Sequence, residues 1–255
     1  MLLAIDIGNT NITLGVFEGE KLRATWRIAT DEHRMADEYA VLMLNLLRQR
    51  GIDIANIKEG AMSCVVPTLL TTFSELLQRY FNITPLVVGP GVKTGIRIRM
   101  DNPREVGADR ISNAAGAHYL YSGPVIVVAL GTATAFDTVS KEGDYLGGAI
   151  APGIAISAEA LFTRTAALPR VELVRPKRAI GTNTIAAMQS GIIFGYVGLI
   201  EAIVARIQKE LGEKAKVVAT GGYASLITKE TTIFDEVNPD LTLIGLRLIY
   251  EMNKA

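Results

Sequence analysis

The segment Ala4 to Gly15, AIDIGNTNITLG, combines residue types that could bind a nucleotide phosphate. An apolar run leads into Asp6, and a polar turn follows before a second alternating apolar run. Glycine at position 8 lacks a side chain and tolerates positive φ, so backbone N–H groups can face a phosphate at close range. Asn9 and Thr10 offer further donors, and Mg²⁺ on a nucleotide would offset the charge of Asp6. An ordinary hairpin with an Asp/Asn turn explains the same segment equally well.

A second segment of the same type begins at Pro124. An apolar strand, Val125–Ala129, leads into a Gly/Thr turn, and two further strands follow it. When the two turns are superimposed, their residues pair as Asp6 with Ala129, Gly8 with Gly131, and Thr10 with Ala133. Two facing hairpins that each cradle phosphate would form a clamp, so the repeat favours nucleotide binding over two chance turns.

The elements around each turn predict an α/β fold with two related halves. Three antiparallel strands open each half, and alternating helices and strands follow. In the first half, Asp31 is predicted to cap a helix that runs to about Arg50. In the second half, Thr182 or Asn183 is predicted to cap a long helix that runs to about Leu211. No linker separates the halves, 1–115 and 116–255, so we expect them to pack with a cleft between them.

A third polar segment follows Asn102-Pro103, which is typical of a helix cap and first helical residue. Glu105, Asp109 and Asn113 then repeat at helical spacing. Spacing alone favours a solvated helix face over a functional site at these positions.

Composition excludes several classes of function. The 255 residues carry 26 basic and 26 acidic side chains, so no net field favours nucleic acid or an anionic membrane. We find no leader and no long apolar run of the kind that spans a membrane. The single cysteine, Cys64, with only two histidines, does not build a familiar zinc site or an internal disulfide. These features predict a cytoplasmic protein with no nucleic-acid or membrane partner.

Six motifs together resemble the type III pantothenate kinases over nearly the whole chain. They are DIGNTNITLG at 6–15, DNPREVGADR at 101–110, GTATAFD at 131–137, GGAIAPG at 147–153, IGTNTIAAMQSG at 180–191 and ATGGYA at 219–224. That family belongs to the acetate and sugar kinase/Hsp70/actin superfamily. The resemblance therefore implies a duplicated ribonuclease-H-like (actin-like ATPase) fold, with two α/β halves around a nucleotide cleft.

The resemblance implies ATP-dependent phosphorylation of pantothenate to 4'-phosphopantothenate, the first step of coenzyme A biosynthesis. It assigns Asp109 the role of accepting the hydroxyl proton, and it assigns Asp6 the role of positioning Mg²⁺ with the nucleotide. The remaining ATP phosphate contacts fall on five turn residues: Gly8, Asn9, Thr10, Gly131 and Thr132.

The same resemblance implies how the acceptor substrate and a further cation are bound. Pantothenate would be held at Gly107, Arg110, Thr184 and Met100, with Arg110 on the carboxylate. Asp137 would help to hold a monovalent cation, K⁺ or NH4⁺. The family also implies a homodimer, and the glycines at 191, 195 and 198 suit close contact between helices.

Three positions depart from the family pattern. Ala129 stands where the second hairpin usually carries an acid, Ala135 replaces a threonine, and Met100 replaces a tyrosine. These departures leave open a catalytically weakened or inactive relative that regulates another process by binding nucleotide or pantothenate. A second alternative is a phosphotransferase with another acceptor. ADP release that depends on pantothenate would distinguish these alternatives.

Overall fold

The structure is a computed structural model that describes residues 1–254. Its strands are β1 (Leu2–Ile7), β2 (Asn11–Glu18), β3 (Lys21–Ala29), β4 (Glu59–Cys64), β5 (Leu86–Val87), β6 (Arg97–Ile98), β7 (Val125–Leu130), β8 (Ala133–Val139), β9 (Asp144–Pro152), β10 (Lys216–Thr220) and β11 (Glu236–Val237). Its α-helices are α1 (Ala36–Gln49), α2 (Pro67–Leu76), α3 (Ala108–Tyr121), α4 (Ile154–Arg164), α5 (Thr184–Leu211), α6 (Ala224–Ile227) and α7 (Leu241–Asn253).

The chain divides into two compact units. Unit 1 comprises residues 1–96, residues 101–116 and the segment from Leu241 onwards. Unit 2 comprises residues 97–100 and 117–240. The predicted halves, 1–115 and 116–255, were defined by the internal repeat and not by compactness, so their boundary stays a prediction.

Unit 1 is built on a sheet with the strand order β3-β2-β1-β4-β5. The first three strands pair antiparallel, whereas β1, β4 and β5 run parallel. Leu3, Ile5 and Ile7 of β1 are buried in a core that includes residues of α1 and α2. Because side chains alternate along a strand, Asp6 points to the opposite face, where α7 packs against the sheet.

Unit 2 repeats this strand order. Its sheet is ordered β11-β10-β7-β8-β9-β6. Read in reverse, β9-β8-β7-β10-β11 corresponds to β3-β2-β1-β4-β5 of unit 1, and β6 is an additional edge strand. Ile126, Val128 and Leu130 of β7 are buried in a core with Ile193 and Ile200 of α5. The predicted α/β fold with two related halves is therefore confirmed.

Two predicted helix starts were wrong. Helix α1 begins at Ala36 rather than after Asp31, because Glu38 accepts a hydrogen bond from the Met35 N–H at 2.8 Å and caps it there. Asp31 instead accepts from the His33 N–H at 3.0 Å in a turn. The helix expected from Pro103 is broken into a 3₁₀ turn, Pro103–Glu105, and α3.

Helix α5 is the longest helix of the described chain, with 28 residues. Asn183 caps it by accepting from the Ala186 N–H at 2.9 Å, which agrees with one of the two predicted caps. Its length and composition would allow it to cross a membrane, contrary to the expectation from sequence, and 39% of its apolar window is buried within the chain. Core helices of water-soluble proteins have the same properties, so this feature alone does not indicate a membrane protein.

Candidate active site

Asp6 lies near the end of β1, where the sheet gives it a polar neighbour. The parallel register places Asp6 beside Ser63 of β4, and the Ser63 hydroxyl donates to Asp6 Oδ1 at 2.7 Å. Burial, and after it the negative charge of Asp109, raise the pKa of Asp6, which lies at about 7. The Ser63 hydrogen bond and the positive charge of Arg27 act in the opposite direction. Asp6 is thus a carboxylate whose ionisation a cation would favour.

Asp109 lies in the first turn of α3, and the chain leaves room for its carboxylate. Gly107 precedes the helix, and a Cβ built on it would lie 2.5 Å from Asp109 Oδ1. Burial raises the pKa of Asp109, whereas the Arg110 N–H and guanidinium lower it. The raised pKa suits a group that accepts a proton near neutral pH.

Asp6 and Asp109 lie within electrostatic reach of each other in unit 1. The sequence places them 103 positions apart in different elements, so only the fold brings the two carboxylates together. Arg110 follows Asp109 on α3, half-buried beside it. Spacing alone favoured a solvated helix face for Glu105, Asp109 and Asn113, but only Glu105 is exposed, whereas Asp109 is half-buried and Asn113 is buried.

The turn between β1 and β2 is held by backbone and side-chain bonds. The Gly8 N–H donates to the Asn11 carbonyl at 3.0 Å, and the Thr30 hydroxyl donates to the Gly8 carbonyl at 2.6 Å. Gly8 does not adopt the positive φ that its sequence context suggested. Its missing side chain still matters, since a Cβ would lie 3.1 Å from the Asn11 carbonyl oxygen. Asn9 and Thr10 are exposed at the turn, where they are accessible to a ligand.

The turn between β7 and β8, Gly131-Thr132, is bordered by backbone from two other segments of unit 2. The Gly153 N–H donates to the Thr132 carbonyl at 3.1 Å. A Cβ on Gly153 would lie 2.2 Å from that oxygen and 2.4 Å from the Gly131 oxygen. Gly221, at φ +92°, is packed as tightly, with a Cβ position 2.6 Å from the Leu130 oxygen. Only glycine fits at either position, so the turn is surrounded by bare backbone.

The sheet register supports the pairing of Ala129 with Asp6 that the repeat predicted. Asp6 lies opposite Ser63 on the neighbouring parallel strand, and Ala129 lies opposite Thr220 in the same relation. A hydroxyl is therefore retained beside both positions, while the carboxylate is found only in unit 1.

The other predicted site residues lie at separate places in unit 2. Asp137 is fully buried on β8 and accepts a hydrogen bond from the Tyr145 hydroxyl at 2.6 Å. Thr184 is exposed at the start of α5, on the rim of an apolar groove. Met100 follows β6, and its sulfur would lie 2.9 Å from a Cβ on Gly147.

The sequence interpretation missed Ser63, which supports Asp6, and it gave Gly153 no individual role. Gly153 was visible only as part of the GGAIAPG motif. Ser63 had no local signal, because its relation to Asp6 depends on the register of two strands 57 positions apart.

Comparison with known proteins gives the family. The model of the type III pantothenate kinase family matches residues 2–206. A type III pantothenate kinase from Dehalococcoides mccartyi strain CBDB1 is 59% identical over 100% of this chain and 97% of its own length. One from Moorella thermoacetica is 55% identical over 99% of this chain and 100% of its own length.

Solved structures of lower identity share the fold. A Campylobacter jejuni protein described as a Baf family transcriptional activator has a TM-score of 0.61 at 19% identity, with 98% of each chain covered. A ROK family glucokinase from Streptomyces griseus has a TM-score of 0.53 at 12% identity, over 98% of this chain and 99% of its own. These likenesses agree with a duplicated ribonuclease-H-like fold. The family model covers residues 2–206, and relatives of 55% and 59% identity align over almost their full length. The chain therefore belongs to the type III pantothenate kinase family and is a kinase.

Proposed function

We propose that the chain transfers the γ-phosphoryl group of ATP to the primary hydroxyl of pantothenate, giving 4'-phosphopantothenate. The observation that carries this proposal is the pair formed by Asp6 and Asp109 in unit 1, two carboxylates of raised pKa, with the charge of Asp109 acting on Asp6. Phosphoryl transfer depends on alignment and charge neutralisation more than on covalent catalysis. One carboxylate near the metal and one near the acceptor hydroxyl supply both requirements.

Asp109 accepts the proton of the pantothenate hydroxyl as that oxygen attacks the γ-phosphorus. Its raised pKa makes the carboxylate a stronger base than an exposed aspartate. Arg110 binds the pantothenate carboxylate, because a planar guanidinium matches that group with two parallel hydrogen bonds. Gly107, Thr184 and Met100 complete the substrate contacts in this proposal.

The turn residues hold the ATP phosphates. In unit 1 these are Gly8, Asn9 and Thr10, and in unit 2 they are Gly131 and Thr132. Tightly packed glycines around the second turn support this role, since bare backbone allows a phosphate to approach N–H groups closely.

The donor set around Asp6 fits Mg²⁺. A partly buried carboxylate with a raised pKa gains from a divalent cation, and Mg²⁺ prefers one or two carboxylates together with phosphate oxygens. Mg²⁺ bound there would neutralise charge that develops on the phosphate oxygens. The chain's own part is to fix the Asp6 carboxylate through Ser63.

Asp137 suits a monovalent cation, K⁺ or NH4⁺. Its carboxylate is fully buried, and hard oxygen donors of this kind bind small cations. The Tyr145 hydroxyl fixes the orientation of the carboxylate from the neighbouring strand.

The α5 face supports a homodimer. A groove of about 540 Å³ runs along α4 and α5, with lining residues that include Leu161, Leu168, Met188 and Ile192. Built Cβ atoms on the glycines at 191, 195 and 198 meet nothing within 4 Å, so no other helix among residues 1–254 packs against these glycines. We propose a second copy of the chain as the occupant, because a helix with small residues on its open face permits close approach of another helix. Such packing would also cover the part of α5 that resembles a membrane span.

The regulatory alternative rests on the three departures at Ala129, Ala135 and Met100. The structure keeps Asp6, Ser63, Asp109 and Arg110 in one unit, and these are the groups that the proposed reaction uses. Relatives over the full length carry the kinase name. Catalysis without an acid at position 129 is therefore the better supported reading.

The test is ADP release by the purified protein with Mg-ATP and K⁺, with and without pantothenate. Pantothenate-dependent release is expected, with 4'-phosphopantothenate identified by mass. ATP binding without any release would overturn the proposal and favour the regulator. Release that occurs only with another alcohol would indicate a different acceptor.

A further inference from the structure

We propose that Tyr196 is a positioning residue for the nucleotide, whose hydroxyl holds the β7–β8 turn and the first residue of α4 in place. The inference rests on the proposed role of Gly131 and Thr132 in holding the ATP phosphates. Tyr196 itself lies on α5 and is not expected to touch the nucleotide.

The Tyr196 hydroxyl meets two elements at one point. It forms a hydrogen bond with the Thr134 hydroxyl, on the strand that leaves the turn. Burial raises the pKa of that hydroxyl, and the backbone of Ile154, the first residue of α4, acts in the opposite direction, so Ile154 lies beside it. Tyr196 and Thr134 are both buried, with 6% and 0% of their surface exposed. A buried hydroxyl bonded in this way is fixed, because breaking the bond with Thr134 leaves two buried polar atoms without that partner.

The start of α4 lacks a cap of its own. Gly153 occupies the cap position and provides no side-chain acceptor for the first N–H groups of the helix. The Tyr196 hydroxyl, on another helix, lies beside the Ile154 backbone at this helix start. The same Gly153 donates its N–H to the Thr132 carbonyl, so movement at the start of α4 is transmitted directly to the turn.

The hydroxyl remains a donor at every physiological pH. Burial raises the pKa of Tyr196 to about 12, so the phenolic proton is retained. The ring of Tyr196 meanwhile lines the α5 groove. One side chain therefore joins the groove, the start of α4 and the turn.

The test is Tyr196→Phe, which keeps the ring and removes only the hydroxyl. With the turn less firmly held, we expect KM for ATP to rise about fivefold to tenfold, the equivalent of one hydrogen bond. KM for pantothenate is expected to stay within about twofold of its original value, because the variant leaves all the proposed pantothenate contacts in place, at Gly107, Arg110, Thr184 and Met100. Tyr121→Phe is the matched control, since it removes another hydroxyl of unit 2 that is bonded at 3.1 Å to Asn238. It should leave both constants unchanged.

Thr134→Val, alone and combined with Tyr196→Phe, tests whether the two hydroxyls act together. If Tyr196 acts through Thr134, the double variant should weaken ATP binding by less than the product of the two single effects. An unchanged KM for ATP in Tyr196→Phe would overturn the proposal. Equal changes in both KM values with a lowered melting temperature would also overturn it, because they indicate a general structural role.

Direct measurement of Mg-ATP affinity separates this inference from the proposed function. If the parent protein releases no ADP with pantothenate, the proposed reaction fails. A weaker ATP affinity in Tyr196→Phe than in Tyr121→Phe would still support the positioning role. Equal ATP affinities in the two variants would reject the positioning role, whether or not the proposed reaction is observed.

Discussion

At the scale of single residues, Asp6 and Asp109 have different tasks although both have a raised pKa. Asp6 is fixed by a neighbouring strand through Ser63, whereas Asp109 lies at a helix start beside Arg110. The first environment holds the carboxylate in one orientation, which suits a metal ligand. The second suits a base, because the adjacent backbone and guanidinium stabilise its ionised form before it takes the proton.

Replacing Asp109 tests this division. Asp109→Asn should lower pantothenate-dependent ADP release by about 10²-fold to 10⁴-fold, the usual contribution of a general base. ATP affinity and melting temperature should stay close to those of the parent. Asp37→Asn is a suitable control, because Asp37 also lies in the first turn of a helix but is exposed. Turnover close to that of the parent in Asp109→Asn would remove Asp109 from the role of base.

The raised pKa of Asp6 predicts a pH-dependent cost to stability when Mg²⁺ is absent. The folded carboxyl has a pKa of about 7 against 3.8 when unfolded, so the folded state binds more protons between these values. Stability contributed by this group is thus complete below pH 3.8 and is lost as pH rises through about 7. Since Asp6 is partly accessible to water, we expect a cost on the order of 1–2 kcal/mol at pH 8.

Asp6→Asn should therefore stabilise the protein in EDTA, and by more at pH 8 than at pH 5. Thermal unfolding at both pH values measures the difference, with the exposed turn residue Glu20→Gln as control. A gain that is equal at the two pH values, or larger at pH 5, would contradict the assigned pKa.

At the scale of elements, the link between Gly107 and Asp109 shows how a helix start shapes the site. Gly107→Ala would place a methyl group 2.5 Å from Asp109 Oδ1, so the carboxylate must turn away. We expect kcat to fall by at least about tenfold with little loss of ATP affinity. Gly89→Ala is the matched control, because a Cβ there meets nothing within 4 Å. A kcat for Gly107→Ala equal to that of the Gly89 variant would show that the added methyl group does not displace the Asp109 carboxylate from its working position.

The sequence predicted the strands better than the helix starts. Alternation and turn residues gave the repeated hairpins, because both signals are local. The start of α1 was misplaced because the cap is formed by Glu38 and Met35 rather than by the nearest aspartate. Helix α3 was placed too early, since Asn102 caps only a short 3₁₀ turn before the chain bends at Val106 and Gly107. In both cases an equally good local cap competed with the one the fold uses.

For the site, motif resemblance indicated the residues but not their relations. The proximity of Asp6 to Asp109 and the support from Ser63 depend on strand register and on a connection across most of unit 1. Tyr196 has no motif of its own, because its contacts join three elements that are remote in sequence. Such long-range bonds leave no periodic signal in one sequence.

At the scale of the whole molecule, the proposed dimer predicts the effect of a charge in the α5 groove. Gly195→Glu should give a monomer, because it buries an unpaired carboxylate between apolar surfaces. Val41→Glu introduces the same charge on α1, where the Val41 side chain is 58% exposed, and should leave the dimer intact. Light scattering coupled to size exclusion measures the mass. A Gly195→Glu protein of the same mass as the parent would place the interface elsewhere.

The last helix belongs to the first sheet. Helix α7 packs on β1, β2 and β4, with Leu243 against Gly15 and the backbone of Gly245 against Ser112. The ribosome therefore makes the centre of unit 1 before unit 2, and the helix that covers it after unit 2. Until Leu241 and the residues after it emerge, one apolar sheet face stays open, and unit 2 has already been synthesised. A message truncated before that codon would yield a chain with every proposed catalytic residue but an uncovered sheet, a substrate for proteolysis rather than a smaller enzyme.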